Sequence, residues 1–162
     1  MEYQERIESV IDRYFNGALA EYREAVMAAM QAGKKLPLFR KVDFSGHIER
    51  FRGIREQAEG LLEEAGSVEV PETDEMYGEL KHLLKVSLED FVELLKRNEA
   101  HYDLMDRKQY RQNKVTVEDF RLSLAGVQTG TGTAVESLDL LDRTWRYSHG
   151  EDVDMGERDE ES

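Results

Sequence analysis

Residues 73–112 read TDEMYGELKHLLKVSLEDFVELLKRNEAHYDLMDRKQYRQ, and this stretch decides the fold. Its apolar stripe is Tyr77, Leu80, Leu84, Leu88, Phe91, Leu95, Asn98, Tyr102 and Met105. The steps alternate between three and four residues, which is the heptad-like seam of a helix packed along its whole length. Thr73 precedes Asp74 and Glu75, acids that suit the positive end of a helix dipole. The spacing predicts one helix from about residue 74 to about residue 112, with Asn113 near the turn that follows.

Working outward, Thr116 opens a further helix, with Asp119 three residues on as a variant capping box. Its stripe is Val117, Phe120, Leu124, Val127, Thr131, Ala134, Leu138, Leu141 and Trp145, and Gly150 is the expected stop. Upstream, Phe44, Ile48, Phe51, Ile54, Ala58, Leu61, Leu62 and Ala65 form another stripe, capped by Asp43 or Ser45 and ended by Gly66. The segment Ser67–Pro71 reads as an extended link, because Val68 and Val70 are β-branched and Pro71 restricts its neighbour. The first helix spans about residues 2–32 on Tyr3, Ile7, Val10, Ile11, Tyr14, Ala18, Tyr22, Val26, Ala29 and Met30, with Gly33 as its stop. Between it and the second helix lies a connector, Lys34–Val42, whose Leu36, Leu38 and Phe39 are expected to cover one end of the core.

Four amphipathic helices with short links imply an all-α, up-down-up-down four-helix bundle over residues 1–150. The third and fourth helices form a long antiparallel hairpin. A turn centred near residues 114–115 sets Leu88 beside Leu141, Asn98 beside Thr131 and His101 beside Gln128. The second helix is shorter than the others, so part of the hairpin is expected to protrude or to be covered by a second copy of the chain. Residues 151–162 hold seven acids and one Arg, and are expected to be a disordered acidic tail.

Composition bounds the chemistry. The chain has 162 residues, no Cys, two Pro and a formal net charge of −13. Without Cys there is no disulfide scaffold, thiolate zinc site, thiol nucleophile or Cys-held cluster. No apolar run reaches the roughly 18 residues of a membrane span, and the charged start, Met-Glu-Tyr-Gln-Glu-Arg, is not a secretory signal. A cytoplasmic location follows as the expectation. The acidic balance repels nucleic acid and anionic membranes at long range, so neither is an expected partner.

Two regions stand out as candidate sites. Asn98, His101, Gln128 and Thr131 form a polar layer at mid-hairpin in the expected register, and are the candidate ligand-binding residues. They adjoin the run Gly126-Val127-Gln128-Thr129-Gly130-Thr131-Gly132-Thr133. Gly costs about 1 kcal/mol per helix-interior position against Ala, so this run weakens a helix unless something offsets it. The helix either continues with another backbone close by, or breaks and restarts on a Thr133/Glu136 capping box, or leaves room for a ligand. The second candidate is a basic pole, Lys34, Lys35, Arg40, Lys41, Arg107, Lys108, Arg111 and Lys114, which suits an acidic peptide or a phosphorylated group. It would face an acidic pole of Glu63, Glu64, Glu69, Glu72, Asp74 and Glu75 together with the N-terminus and the tail.

Catalytic and metal chemistry find little support. A di-metal carboxylate site in a bundle needs two Glu-x-x-His motifs, and the chain has one, Glu79–His82, off the main stripe. No strained Gly-x-Ser-x-Gly nucleophile motif is present. No cofactor, metal or catalytic residue is expected. The leading expectation is a non-enzymatic bundle acting through protein–protein contacts, as a homo-oligomer or an adaptor for another protein. The alternative is a small-molecule-binding or catalytic bundle that uses the polar layer.

Overall fold

The computed structural model describes residues 2–34, 43–110 and 115–151, without the side chains of residues 34 and 107–110. Helix α1, Tyr3–Arg13, runs through a π-helical turn, Tyr14–Ala18, into α2, Leu19–Lys34, making one continuous first rod. Three more helices follow: α3, Ser45–Ser67; α4, Glu75–Tyr110; and α5, Val117–Ser148. There is no strand among the described residues.

Local chemistry explains the ends. The Thr116 side chain accepts the Asp119 amide while the Asp119 carboxylate accepts the Thr116 amide, so the capping box expected from sequence starts α5. Asp74 starts α4 by accepting the Tyr77 amide at 3.2 Å. At α3 the cap position is Phe44, which is buried, while the Asp43 carboxylate takes both the amide and the hydroxyl of Ser45. Gly150 stops α5 at φ +78°, a left-handed conformation that a side chain would resist. The π-helical turn is local: the Leu19 amide reaches back five residues to the Tyr14 carbonyl.

Cross-helix contacts fix an up-down-up-down order. Arg13 pairs with Glu64 at 2.5 Å and Arg50 with Glu24 at 3.4 Å, so α3 runs antiparallel to the first rod. The Phe44 amide meets Asp106 at one end of α4, and Lys81 donates to the Val68 carbonyl at the other. Helix α3 therefore flanks α4 from Lys81 to Asp106. The link after α3 and the start of the first rod cover the rest, Tyr3 donating to Asp74 and Tyr77 to Glu8. The sequence leads one to expect a hairpin that protrudes or is covered by a second copy of the chain. At about 1.5 Å per residue the lengths do differ, but the shorter α3 and its extended link together span nearly all of α4.

The core belongs chiefly to three of the four rods. Ile7, Val10, Ile11, Tyr14 and Ala18 from the first rod meet Phe51, Ile54, Ala58 and Leu61 from α3 on the buried stripe Leu80, Leu84, Leu88, Phe91 and Leu95 of α4. Aromatic rings lock its upper half: Phe51 stacks on Tyr102 at 5.5 Å, and Tyr22 meets Phe91 edge-on at 5.3 Å. Helix α5 adds Leu141, fully buried, with Leu138 and Trp145 partly so. It lies along α4, yet no Cα of α5 comes within 8 Å of one in α3 or the first rod.

Candidate functional site

The hairpin register differs from the sequence expectation by five residues. His101 Nδ1 lies 3.1 Å from Ser123 Oγ, where Gln128 was expected. Arg97 donates to the Gly126 carbonyl at 3.0 Å, and a Cβ added at Gly130 would meet Arg97 at 3.1 Å and Leu94 at 3.4 Å. Two stripes of the same period mesh in several registers, and only packing selects one. Here Gly130 is the residue that gives way to the bulk of Leu94 and Arg97.

That shift dissolves the expected four-residue polar layer. Asn98 is buried and donates to Tyr22 Oη and to the Leu94 carbonyl, both at 3.0 Å. Its partner therefore stands on the first rod, not on α5. His101 is buried among the rings of Tyr102 and Phe120, each at 5.4 Å, and burial holds its pKa below the usual 6.5. Gln128 and Thr131 are exposed, and the Thr131 hydroxyl donates back to the Val127 carbonyl at 2.8 Å. Asn98 and His101 thus sit in two separate hydrogen-bonded pairs, and Gln128 and Thr131 join neither. Tyr22, Arg97 and Ser123 take part instead. No local signal marks them, because each is selected by register.

The Gly–Thr run is helical throughout, so the expected alternative of a break at Thr133 does not occur. The Thr133 hydroxyl donates to the Thr129 carbonyl at 3.2 Å and so does not cap a new helix. Of the three glycines only Gly130 is closely packed; a Cβ at Gly126 or Gly132 would meet nothing within 4 Å. A shallow depression of about 480 Å³ lies beside this run, with Arg97, Ser123 and Thr129 on its walls.

A longer feature opens on the other flank of α5. A groove of about 430 Å³ separates α5 from the first rod, with Phe15, Leu19 and Arg23 on one wall and Val135, Leu138, Asp142 and Arg146 on the other. Helical spacing extends both walls. Met27 and Met30 continue the face of Leu19 and Arg23, and are 61% and 52% exposed. Leu124 and Thr131 continue the face of Val135 and Leu138; Leu124 is 38% and Val135 57% exposed. The result is an apolar strip along the side where a closed bundle would join its first and last helices.

Two acids of the expected acidic pole have close partners. Glu64 is held below the usual carboxylate range by Arg13, and Asp74 by the Tyr3 hydroxyl and then the Tyr77 amide. Burial, with Glu8 beside it, pushes Tyr77 up to about 12. His149, at the end of α5, sets its ring at a tilt against Trp145 and faces Glu8 at 3.8 Å. On the α3–α4 side, Glu99 takes Arg55 at 2.7 Å and Arg52 at 3.3 Å. Of the expected basic pole, Lys34 ends α2 and Arg107 and Lys108 fall in the last turn of α4. Their side chains, and Lys35, Arg40, Lys41, Arg111 and Lys114 entirely, lie outside the described residues, as does the tail from Asp152.

Among the described residues no group of three or more His, Asp or Glu is placed to hold a metal ion, and Glu79 and His82 are both exposed. No helix among them is long and apolar enough to cross a membrane. Compared with protein-family models, with curated proteins and with solved structures, the chain matches none.

Proposed function

We propose that this chain is a non-enzymatic helical-bundle protein that acts through protein–protein contacts, by self-association or as an adaptor. The observation that carries the reading is the open side of the bundle. Met27, Met30, Leu124 and Val135 leave apolar surface in water along a groove that no element of the described chain fills. Contiguous exposed apolar surface with a polar rim marks interaction sites, and Met is over-used where a surface adapts to its partner. The Cys-free, acidic composition supports a cytoplasmic setting and disfavours nucleic acid as the partner.

The test compares wild type with a Leu124→Glu/Val135→Glu double variant. Both are assayed by light scattering at rising concentration and by quantitative co-purification from cell extract. The reading expects an assembly or a specific co-purifying protein that the double variant loses. A strictly monomeric wild type that retains nothing more than the variant overturns it.

One observation favours a second reading, a small-molecule-binding or catalytic bundle. Half-buried Ser123, paired with buried His101 behind it, lines the 480 Å³ depression beside Arg97. In that reading His101 acts through its bond to Ser123, and none of Asn98, His101, Gln128 and Thr131 lines the depression itself. A ligand that raises the melting temperature of wild type but not of Ser123→Ala would establish it.

A further inference from the structure

The face of α5 that borders the groove carries a second helical seam, separate from the one it turns toward α4. Arg121, Leu124, Gln128, Thr131 and Val135 follow one another at steps of three and four residues, and Asp142 continues the line seven residues on. Arg121, Leu124, Gln128, Thr131 and Val135 are exposed, and Asp142 is partly so. We propose that this seam is a self-recognition surface: α5 pairs antiparallel with α5 of a second copy of the chain, about a two-fold axis between Thr131 and Gly132. The proposal rests on the protein-contact reading above and names the partner.

Charge selects the occupant and the direction. A two-fold interface presents the same patch twice. Antiparallel pairing about Thr131 and Gly132 sets Arg121 against Asp142 of the second copy, and Asp142 against its Arg121. Glu118 and Arg146 lie one residue off the same register and are also of opposite sign. Parallel pairing would place Arg121 on Arg121 and Asp142 on Asp142, which is repulsive. Within one chain these charges have near neighbours: Arg121 bonds Glu118, and Arg146 reaches Asp142 at 3.3 Å. Those pairs are exposed and of adjacent turns, and exposed pairs of that kind are weak and exchange readily.

The centre of the seam suits close approach. Gly132 has open space where a Cβ would stand, and Thr131 points its hydroxyl back to its own helix. Two backbones can therefore meet at the axis, with Gln128 and Val135 packing across it. The Gly and Thr residues that weaken α5 as an isolated helix are, on this view, what lets the two copies touch. Each copy also brings Leu124 and Val135 out of water, and apolar burial is the non-directional part of association.

Sedimentation equilibrium on the full chain at about 0.15 M salt tests the pairing, with Arg121→Asp, Asp142→Arg and the double exchange. Each single exchange breaks both cross-chain pairs, and weakens the dimer on the order of tenfold or more. The double exchange recreates the pairs with reversed sign and restores the dimer to within about threefold. Because the chain has no Cys, a second measurement does not depend on those charges. Thr131→Cys, beside the axis, cross-links to itself under mild oxidation, whereas Leu122→Cys, on the opposite flank of α5, does not. Circular dichroism confirms that every variant is folded.

A monomeric wild type at several hundred micromolar overturns the proposal while leaving an adaptor role intact. A dimer indifferent to both single exchanges, or one that cross-links through Leu122→Cys and not Thr131→Cys, overturns it while leaving self-association intact.

Discussion

Helices α3 and α5 both lie antiparallel to α4 along most of its length, yet they are held differently. Helix α3 is wedged between α4 and the first rod, and buries Phe51, Ile54, Ala58, Leu61 and Ala65. Glu99 of α4 draws in both Arg52 and Arg55. Among the described elements, α5 packs its backbone closely on α4 alone. Its buried positions are Gly130, Ala134, Leu141 and Thr144, of which Leu141 alone is large and apolar. Close backbone pairing along a helix does not by itself make a core; the area removed from water does. The difference leaves α3 as structural cement and α5 as the surface on which the molecule has apolar area to spare.

Truncation exposes that contrast most strongly. Phe51→Ala removes a fully buried ring stacked on Tyr102, and should cost about 3–5 kcal/mol in chemical denaturation. Leu141→Ala, the corresponding anchor of α5, should cost about 2–4 kcal/mol. Leu124→Ala and Val135→Ala, on the exposed seam, should stay within about 0.5 kcal/mol for the monomer. If the seam variants cost as much as Leu141→Ala, the seam is buried within the monomer and the contrast fails.

The capping box comes next in size. Thr116→Ala removes the acceptor for the Asp119 amide and should cost about 1 kcal/mol, read as a lower denaturation midpoint with an unchanged slope.

The glycines then sharpen the comparison from within α5. Gly132→Ala meets open space within one chain and should stabilise the monomer by up to about 1 kcal/mol through helix propensity. Gly130→Ala has the same propensity gain but drives its Cβ to 3.1 Å from Arg97, so it should gain less or lose stability. Equal gains at the two positions would mean that Arg97 does not lean on the helix as the structure has it.

The smallest effect is a pH dependence. Burial lowers the pKa of His101, so the unfolded chain takes up the proton more readily than the folded one. The contribution of neutral His101 is complete above the ordinary value of 6.5 and is lost as pH falls through it. His101→Gln should flatten the decline of stability as pH falls below 6.5. A slope that the variant leaves unchanged would place the acid sensitivity elsewhere.

Much of the architecture is legible in the residues. Thr73-Asp74, Thr116-Asp119 and Gly150 punctuate the chain where the helices begin and stop, because caps act through hydrogen bonds within a few residues. The heptad-like stripe of α4 marks the face that the core buries, from Leu80 to Leu95. The π-helical turn at Tyr14–Ala18 leaves no mark in the spacing, since the stripe through Tyr14 and Ala18 keeps its ordinary phase. The candidate site was legible only in part. Asn98 and His101 declare themselves as polar residues in an apolar stripe, and both are buried. Their partners, Tyr22 and Ser123, are ordinary residues at positions that register alone selects.

The sequence by itself determined the four helical rods, their order and the apolar face of each, because periodicity and capping are short-range properties of the chain. The tertiary structure decided which turn of α5 meets which turn of α4. It also decided that α5 would lean on one neighbour and leave a seam in water. Those outcomes depend on how particular volumes fit together: Gly130 beneath Arg97, and a crowded aromatic cluster between α3 and the first rod. Shape complementarity between distant segments is a property that no single stretch of sequence carries.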